Sequence, residues 1–407
     1  LKTALSPQRV LVPLGLGTVI SLLGDATLYT VLPNPRIAAQ AGLTLGMVGV
    51  LLGVNRAARL IVNGPVGLLY DRLPRRGLMV ASLLGGAVSS VLYAAGSGFW
   101  PLFAGRVLWG IAWAMLWIGG NAMVLDIASD ENRGRFNGQY QMWFFVGVAL
   151  SSFLGGLFTD LFGFRGGLWL STGLTGMAAL MWFCCLPETR SPAQALQRQS
   201  SRGPAVPFPW GTTLAACVPL FGVRFVFAGV LAATSILWLE GMVGERLNFL
   251  NMATLPLATL TGAFVAVQAT ISILSAPSAG YLSDRLGRRW PVVVLGLLMG
   301  AVGVWLMSQK VPAQALAGAL IAAITGGSVQ SLVPAIVGDR VDEWQRGRAL
   351  GVIYIAGDLG STLGPPMALG LLNSGITSLG GVYRGCAILF LVVVLFAGIQ
   401  WRREQRA

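Results

Sequence analysis

Gly67-Leu-Leu-Tyr-Asp71-Arg72-Leu-Pro74-Arg75-Arg76 recurs 213 residues later as Gly280-Tyr-Leu-Ser-Asp284-Arg285-Leu-Gly287-Arg288-Arg289. The same offset carries Asp126 onto Asp339, Arg133-Gly134-Arg135 onto Arg346-Gly347-Arg348, and Gly138 and Gly147 onto Gly351 and Gly360. One matching decapeptide can be chance. Several registers held at one spacing mean an internal duplication, which has to be read before any motif. The chain therefore divides into two halves of one design, residues 1–187 and 212–407. Residues 188–211 join them; rich in Pro, Ser, Gln and Arg, this stretch has the composition of a flexible linker.

Of the 407 residues, 55% are hydrophobic and 11% charged, where a soluble domain carries about 25% charge. With a mean hydropathy of +0.72, this excludes a soluble enzyme, a disordered chain and a disulfide scaffold. A membrane helix needs about 20 mostly apolar residues, a spanning strand about 10 in strict alternation. The apolar runs here are long and do not alternate. They predict an all-α membrane protein with twelve transmembrane helices, in two pseudo-symmetric bundles of six. The spans fall near 10–33, 46–70, 77–96, 100–126, 138–162, 166–187, 212–239, 254–282, 290–308, 312–338, 348–373 and 380–400. The first run is too long for the apolar core of a signal peptide and carries Asp25, so it reads as a span. Cys184, Cys185, Cys217 and Cys386 lie in spans without ligand spacing, and the chain has no His. They read as small buried hydrophobes, and no metal is expected.

The 28 Lys and Arg against 15 Asp and Glu give a net charge of +13. With the N-terminus inside, 19 of the basic residues fall in cytoplasmic segments or at the cytoplasmic ends of spans, 5 on or near the other side and 4 deep within spans. That bias predicts both termini in the cytoplasm, and the expected location is a plasma membrane, the bacterial inner membrane. The basic balance is thus topology rather than nucleic-acid binding.

The duplicated loop, Gly-x-Leu-x-Asp-Arg-x-Gly-Arg-Arg, resembles the signature loop of the major facilitator superfamily, with Pro74 in place of the usual Gly in the first copy. The resemblance covers the whole chain. Leu102-x-x-x-Arg106-x-x-Trp109-Gly110 resembles the family's fourth-helix pattern, with Trp109 where Gln is usual. Gly138, Gly147, Ser151, Ser152, Gly155 and Gly156 fit the glycine-rich antiporter pattern of the proton-coupled drug-efflux branch, with Ser151-Ser152 replacing its Gly-Pro. Gly351, Gly360, Gly364 and Pro365 repeat that spacing with the Gly-Pro intact. The resemblance implies a monomeric transporter that moves a small molecule across the bilayer by alternating access between two six-helix bundles. It also implies a cytoplasmic gate. One cluster is Asp71 with Arg75 or Arg76 near Asp126, the other Asp284 with Arg288 or Arg289 near Asp339; Gly67, Arg72, Gly280 and Arg285 belong to the same loops. No Gly-x4-Gly-Lys-Ser/Thr loop is present, so no nucleotide is expected. Without His no catalytic triad of the usual kind forms, so the chain is not expected to be an enzyme.

An ionisable group at mid-membrane costs about 2.5–3.5 kcal/mol even on lenient scales, which makes each one a functional candidate. The spans carry Asp25, Arg56, Arg59, Arg106, Arg224 and Asp358. By helical rise, Asp25 and Arg56 share a level roughly 21–22 Å from the cytoplasmic ends of their spans. Asn55, Arg56, Arg59 and Asn63 form one narrow polar stripe, expected to face a wet cavity. Trp109, Trp113 and Trp117 fall on the same side as Arg106 and are expected to line that cavity. Proton coupling needs a group that gains and loses a proton; without His this must be a carboxylate. Asp25 is the first choice, with Arg106 and Arg56 as partners, and Asp358 is the second; the proton is the only coupling agent expected and no cofactor. In the second half Arg224 and Gln268, which the repeat maps onto Asn55, are the expected contributors. The function expected is proton-coupled efflux of amphipathic or hydrophobic small molecules. The excess of intramembrane Arg keeps one alternative open, an organic-anion exchanger or importer clamping its substrate with Arg56, Arg59 and Arg224; a proton-independent lipid flippase is another.

Overall fold

The computed structural model describes residues 6–128, 133–189, 207–244, 246–249 and 253–406. The apolar runs are helices because lipid offers the backbone no hydrogen-bond partners, and a helix satisfies its own. The first half comprises α1 (Pro7–Val31), a short α2 (Pro35–Gln40), α3 (Leu45–Arg72), α4 (Arg75–Ala95), α5 (Phe99–Ile127) and α6 (Arg133–Cys185). In the second half α7 (Trp210–Val223) runs through a π-helical segment (Arg224–Leu231) into α8 (Ala232–Val243). An antiparallel hairpin of β1 (Arg246–Phe249) and β2 (Ala253–Pro256) follows, pairing Arg246 with Pro256. Then come α9 (Leu257–Leu286), α10 (Trp290–Met307), α11 (Pro312–Arg340), α12 (Glu343–Asn373) and α13 (Leu379–Arg406).

Ten helices among the described residues are long and apolar enough to cross a membrane. One of them, α6, is 53 residues long and would measure about 80 Å if straight, against a hydrocarbon core of about 30 Å. It is two crossings broken at Gly163, whose φ of +73° is open to glycine and strained for other residues. The chain turns back there, so that Gly167 lies against Phe158 and Thr159. The 31-residue α12, interrupted by Pro365 and Pro366, is more polar and completes the twelve segments read from the sequence. The hairpin, α2 and the π segment were not foreseen. α2 follows from local chemistry: Asn34 caps the amides of Arg36 and Ile37, and Pro35 occupies the first helical position.

The described residues form two compact units. The first holds those of 1–43, 54–204 and 246–266, the second those of 44–53, 205–245 and 267–407. Within the first, α1 packs on α6, and α4 on both α5 and α6; within the second, α12 packs on α7 and the π segment, and α10 on both α11 and α13. The duplication thus reappears as equivalent helix pairs. Buried Trp182 fills the space left by Gly17 and donates from Nε1 to the Pro13 carbonyl at 2.7 Å. In the second unit Trp238 donates to the Met307 carbonyl at 3.0 Å, and the hydroxyls of Thr234 and Tyr383 meet at 3.0 Å. Residues 44–53 join the second unit because Gly49 and Gly53 let α3 lie directly on Thr362, Pro365 and Pro366 of α12. Residues 190–206 of the linker lie outside the described residues.

Candidate functional site

α1 presents Asp25 and, one helical turn on, Tyr29; α5 presents Arg106; α3 presents Asn55 and Arg56. In the first unit these side chains converge. Arg106 donates from Nη1 to Asp25 Oδ1, and Asn55 Nδ2 lies 3.5 Å from the same oxygen. The guanidinium carbon of Arg106 is 5.3 Å from the centre of the Tyr29 ring, and that of Arg56 is 5.2 Å from it. One aromatic ring therefore serves two cations. The Arg106 side chain is 1% exposed and that of Asp25 16%, so the pair is almost sealed from bulk water. Glycines create the room: Gly105 admits the Tyr93 ring beside Arg106, and Gly110 admits the backbone of Asn55 and the side chain of Ala58 on α3. Two opposite charges this deep are tolerated because each compensates the other.

Arg59 and Asn63 follow Arg56 along α3, both half-buried. Nη1 of Arg56 is buried and makes no hydrogen bond. The tryptophans form a ladder, Trp109–Trp113 and Trp113–Trp117 each at 5.7 Å, continued by Tyr140 at 5.5 Å from Trp117. Trp109 is 3% exposed with its ring against Gly86 of α4, and Trp113 is also buried, so these two rings sit in helix packing. Trp117 is half-buried, edge-on to Phe144 of α6. In the second unit Arg224 opens the π segment and its side chain lies against Gly357, the residue before half-buried Asp358. Gln268 is half-buried on α9.

The duplicated loops build unequal clusters. In the first copy Arg75, not Arg76, binds Asp126, from Nε at 3.1 Å, and donates from Nη1 to the Tyr70 carbonyl at 2.8 Å. Thr189 adds a hydroxyl to Asp126 at 2.9 Å. Glu188 accepts the backbone N–H groups of Arg75 and Arg76, both at 3.0 Å, capping α4 with an anion at its positive end. Arg76 turns to the Phe183 carbonyl. In the second copy Arg289, not Arg288, binds both Asp339, at 3.0 Å, and Asp284. Its guanidinium is held above its ordinary range, chiefly by the hydrogen bond to Asp339. The repeat pairs Arg75 with Arg288, so the working arginine has moved one place. Pro74 against Gly287 explains the shift: Gly287 adopts φ +63°, which Pro cannot, so α4 starts at Arg75 whereas α10 starts at Trp290. The first cluster is buried, the second exposed around a cleft of about 350 Å³ that also holds Arg340 and Glu404. Arg72, Arg285 and Arg288 are exposed; Gly67 and Gly280 have open space around them; the side chain of Asp71 lies outside the described residues.

The glycine pattern divides into tight and open positions. Gly147 and Gly155 meet Val19 and Thr27 of α1, and Gly156 meets Ala258 and Thr259 of α9. Gly360 lies on the Phe221 carbonyl, and a Cβ on Gly364 would stand 2.6 Å from the Gly229 Cα. Gly138 and Gly351 have nothing within 4 Å. Ser151, at the place equivalent to Gly364, instead donates to the Val19 carbonyl at 3.1 Å. Sequence reading missed Tyr29, Tyr93 and Glu188. The four-residue spacing of Asp25 and Tyr29 was a usable signal; nothing local marked the other two.

A largely helical, duplicated, multi-pass membrane protein with a buried acid–base pair points to a class, the membrane transporters. The model of the Major Facilitator Superfamily matches residues 14–271 and 250–407, and the chain belongs to that family. It is 25% identical over 354 residues to the tetracycline resistance protein, class C, of Escherichia coli, covering 86% of each chain. It is 26% identical over 407 residues to the inner membrane transport protein YajR of Escherichia coli (strain K12), covering 93% of this chain and 80% of that one. In fold it is similar to a bacterial homolog of the human lysosomal transporter Spinster in an inward-facing and occupied conformation, with TM-score 0.77, 17% identity and 96% of each chain covered.

Proposed function

We propose that this transporter exports amphipathic or hydrophobic small molecules in exchange for protons. Asp25 takes the proton and Arg106 sets how readily it does so. The observation that carries the reading is the pair itself, an almost fully buried arginine ion-paired with a carboxylate that also meets Asn55. Protonating Asp25 frees Arg106 from its partner inside a low-dielectric bundle, a penalty that a change of conformation can relieve. Relatives named for tetracycline resistance support export as the direction. Asn55, Arg56, Arg59, Asn63 and Trp117 form the first-half wall of the path, with Arg224 and Gln268 in the second half and Asp358 as the reserve acid. The clusters at Arg75–Asp126 and Arg289–Asp339 act as the cytoplasmic gate, charge-assisted networks that form and break as the halves rock. The protein works as a monomer in a bacterial inner membrane, with both termini inside.

Expression in a drug-sensitive host tests this. Resistance to, and lowered accumulation of, tetracycline or a lipophilic cation is expected for the native chain and is expected to vanish in Asp25→Asn. Uptake of organic phosphates or carboxylates, lost in Arg56→Gln, would replace this reading with an anion transporter.

A further inference from the structure

We propose that Asp160 is a latch: its carboxylate caps the first turn of α9 at Thr259 and holds it on α6 until the transport cycle draws the two apart. The proposal stands on the transporter class alone, not on the substrate or the coupling ion. Oδ2 of Asp160 accepts the Thr259 backbone N–H at 2.7 Å and the Thr259 hydroxyl at 2.5 Å. Thr259 is the third residue of α9, and the first amides of a helix have no acceptor within it. The residue ahead of α9 is Pro256, which has no side-chain oxygen to offer. The cap therefore comes from another helix, and it brings a negative charge to the positive helix end.

The surrounding contact is backbone against backbone. Gly156 lies on Ala258 and Thr259, and a Cβ on Gly262 would stand 2.9 Å from the Phe153 Cα. Thr259 is 7% exposed, while Asp160 is exposed. The bond thus sits at the aqueous boundary, about 40 Å along α6 from Arg133 by helical rise, at the end away from the duplicated loops. Water can replace the carboxylate's partners there, which makes the bond releasable.

The duplication supplies an internal control. The 213-residue offset carries Asp160 onto Asn373 and Thr259 onto Gly46. These counterparts also face each other: a Cβ on Gly46 would lie 3.6 Å from Asn373 Nδ2. The packing is thus built a second time without the acid or the hydroxyl, and there Thr44 caps its own helix at Met47, at 3.3 Å. Asp160 is not needed to form such a contact. It fastens one of the two.

The test replaces Cys184, Cys185 and Cys217 by alanine, keeps buried Cys386 as an internal control, and adds Leu257→Cys, at a position 8% exposed, as reporter. Reaction with a water-soluble maleimide is followed in lipid nanodiscs. The reporter is expected to react about five-fold faster in Asp160→Ala and Asp160→Asn, the scale of losing one cap. Thr259→Val is expected to give a smaller rise, and adding it to Asp160→Asn no further one. Cys386 is expected to stay silent throughout. Unchanged reporter rates, additive effects in the double variant, or Cys386 rising in step with the reporter would each overturn the latch.

Discussion

Arg106 of α5 and Asp25 of α1, 81 residues apart in sequence, are joined by an ion pair in which the arginine side chain is 1% exposed. Removing one member of such a pair leaves the other charge buried, at about 3–5 kcal/mol, whereas replacing both by apolar residues can be nearly neutral. Arg106→Leu alone is therefore expected to lower thermal stability in detergent strongly. Adding Asp25→Leu is expected to recover most of the loss while transport stays abolished. Stability and transport separate in this double variant, which a purely structural pair would not allow.

Tyr29 takes Arg56 and Arg106 on one ring. Cation–π attraction needs the ring and not the hydroxyl, and is worth about 0.5–2 kcal/mol. Tyr29→Phe is expected to keep transport near the native rate. Tyr29→Leu, which takes the ring away from both guanidinium groups, is expected to lower it several-fold, as read by initial efflux rates.

The two loop clusters are expected to respond differently to the same substitution. Arg75 and Asp126 have side chains 6% and 5% exposed, while Arg289 is 24% exposed and its partners Asp284 and Asp339 are 64% and 52% exposed. Arg75→Gln is expected to cost about 3 kcal/mol, and Arg289→Gln less than about 1 kcal/mol. Thermal unfolding of the two variants side by side reads the difference.

Gly364 and Gly351 belong to one sequence pattern but meet different surroundings. Alanine at Gly364 would press on the Gly229 Cα at 2.6 Å and the Phe225 carbonyl at 2.7 Å, backbone that cannot swing aside. Gly364→Ala is expected to lose folded protein or transport; Gly351→Ala, with open space around it, is expected to behave as native. Yield of monodisperse protein and efflux rate check both.

Long apolar runs and a fixed repeat spacing made the twelve helices legible, because helix length and period are properties of local sequence. Convergence of Asp25 with Arg106 was legible as a shared need of two buried charges, and Arg56 as a residue at the level of Asp25. The rest depended on helix rotation and on distant partners. Trp109 lies on the Arg106 side of α5 as its spacing predicts, yet Gly86 of α4 receives its ring. The choice of Arg75 over Arg76 and of Arg289 over Arg288 turned on Pro74 against Gly287, a backbone effect the repeat alone hides. Glu188, just past α6 and 112 residues from Arg76, bore no sign of its role as the cap of α4.

Proton movement in proteoliposomes loaded with a pH-sensitive dye tests the central claim most directly. The native protein is expected to release lumenal protons when an exported lipophilic cation is added. Asp25→Asn is expected to abolish the signal and Asp358→Asn to preserve it. A full dye response in Asp25→Asn, or substrate movement with no dye response in the native protein, would contradict the assignment of Asp25 as the proton carrier.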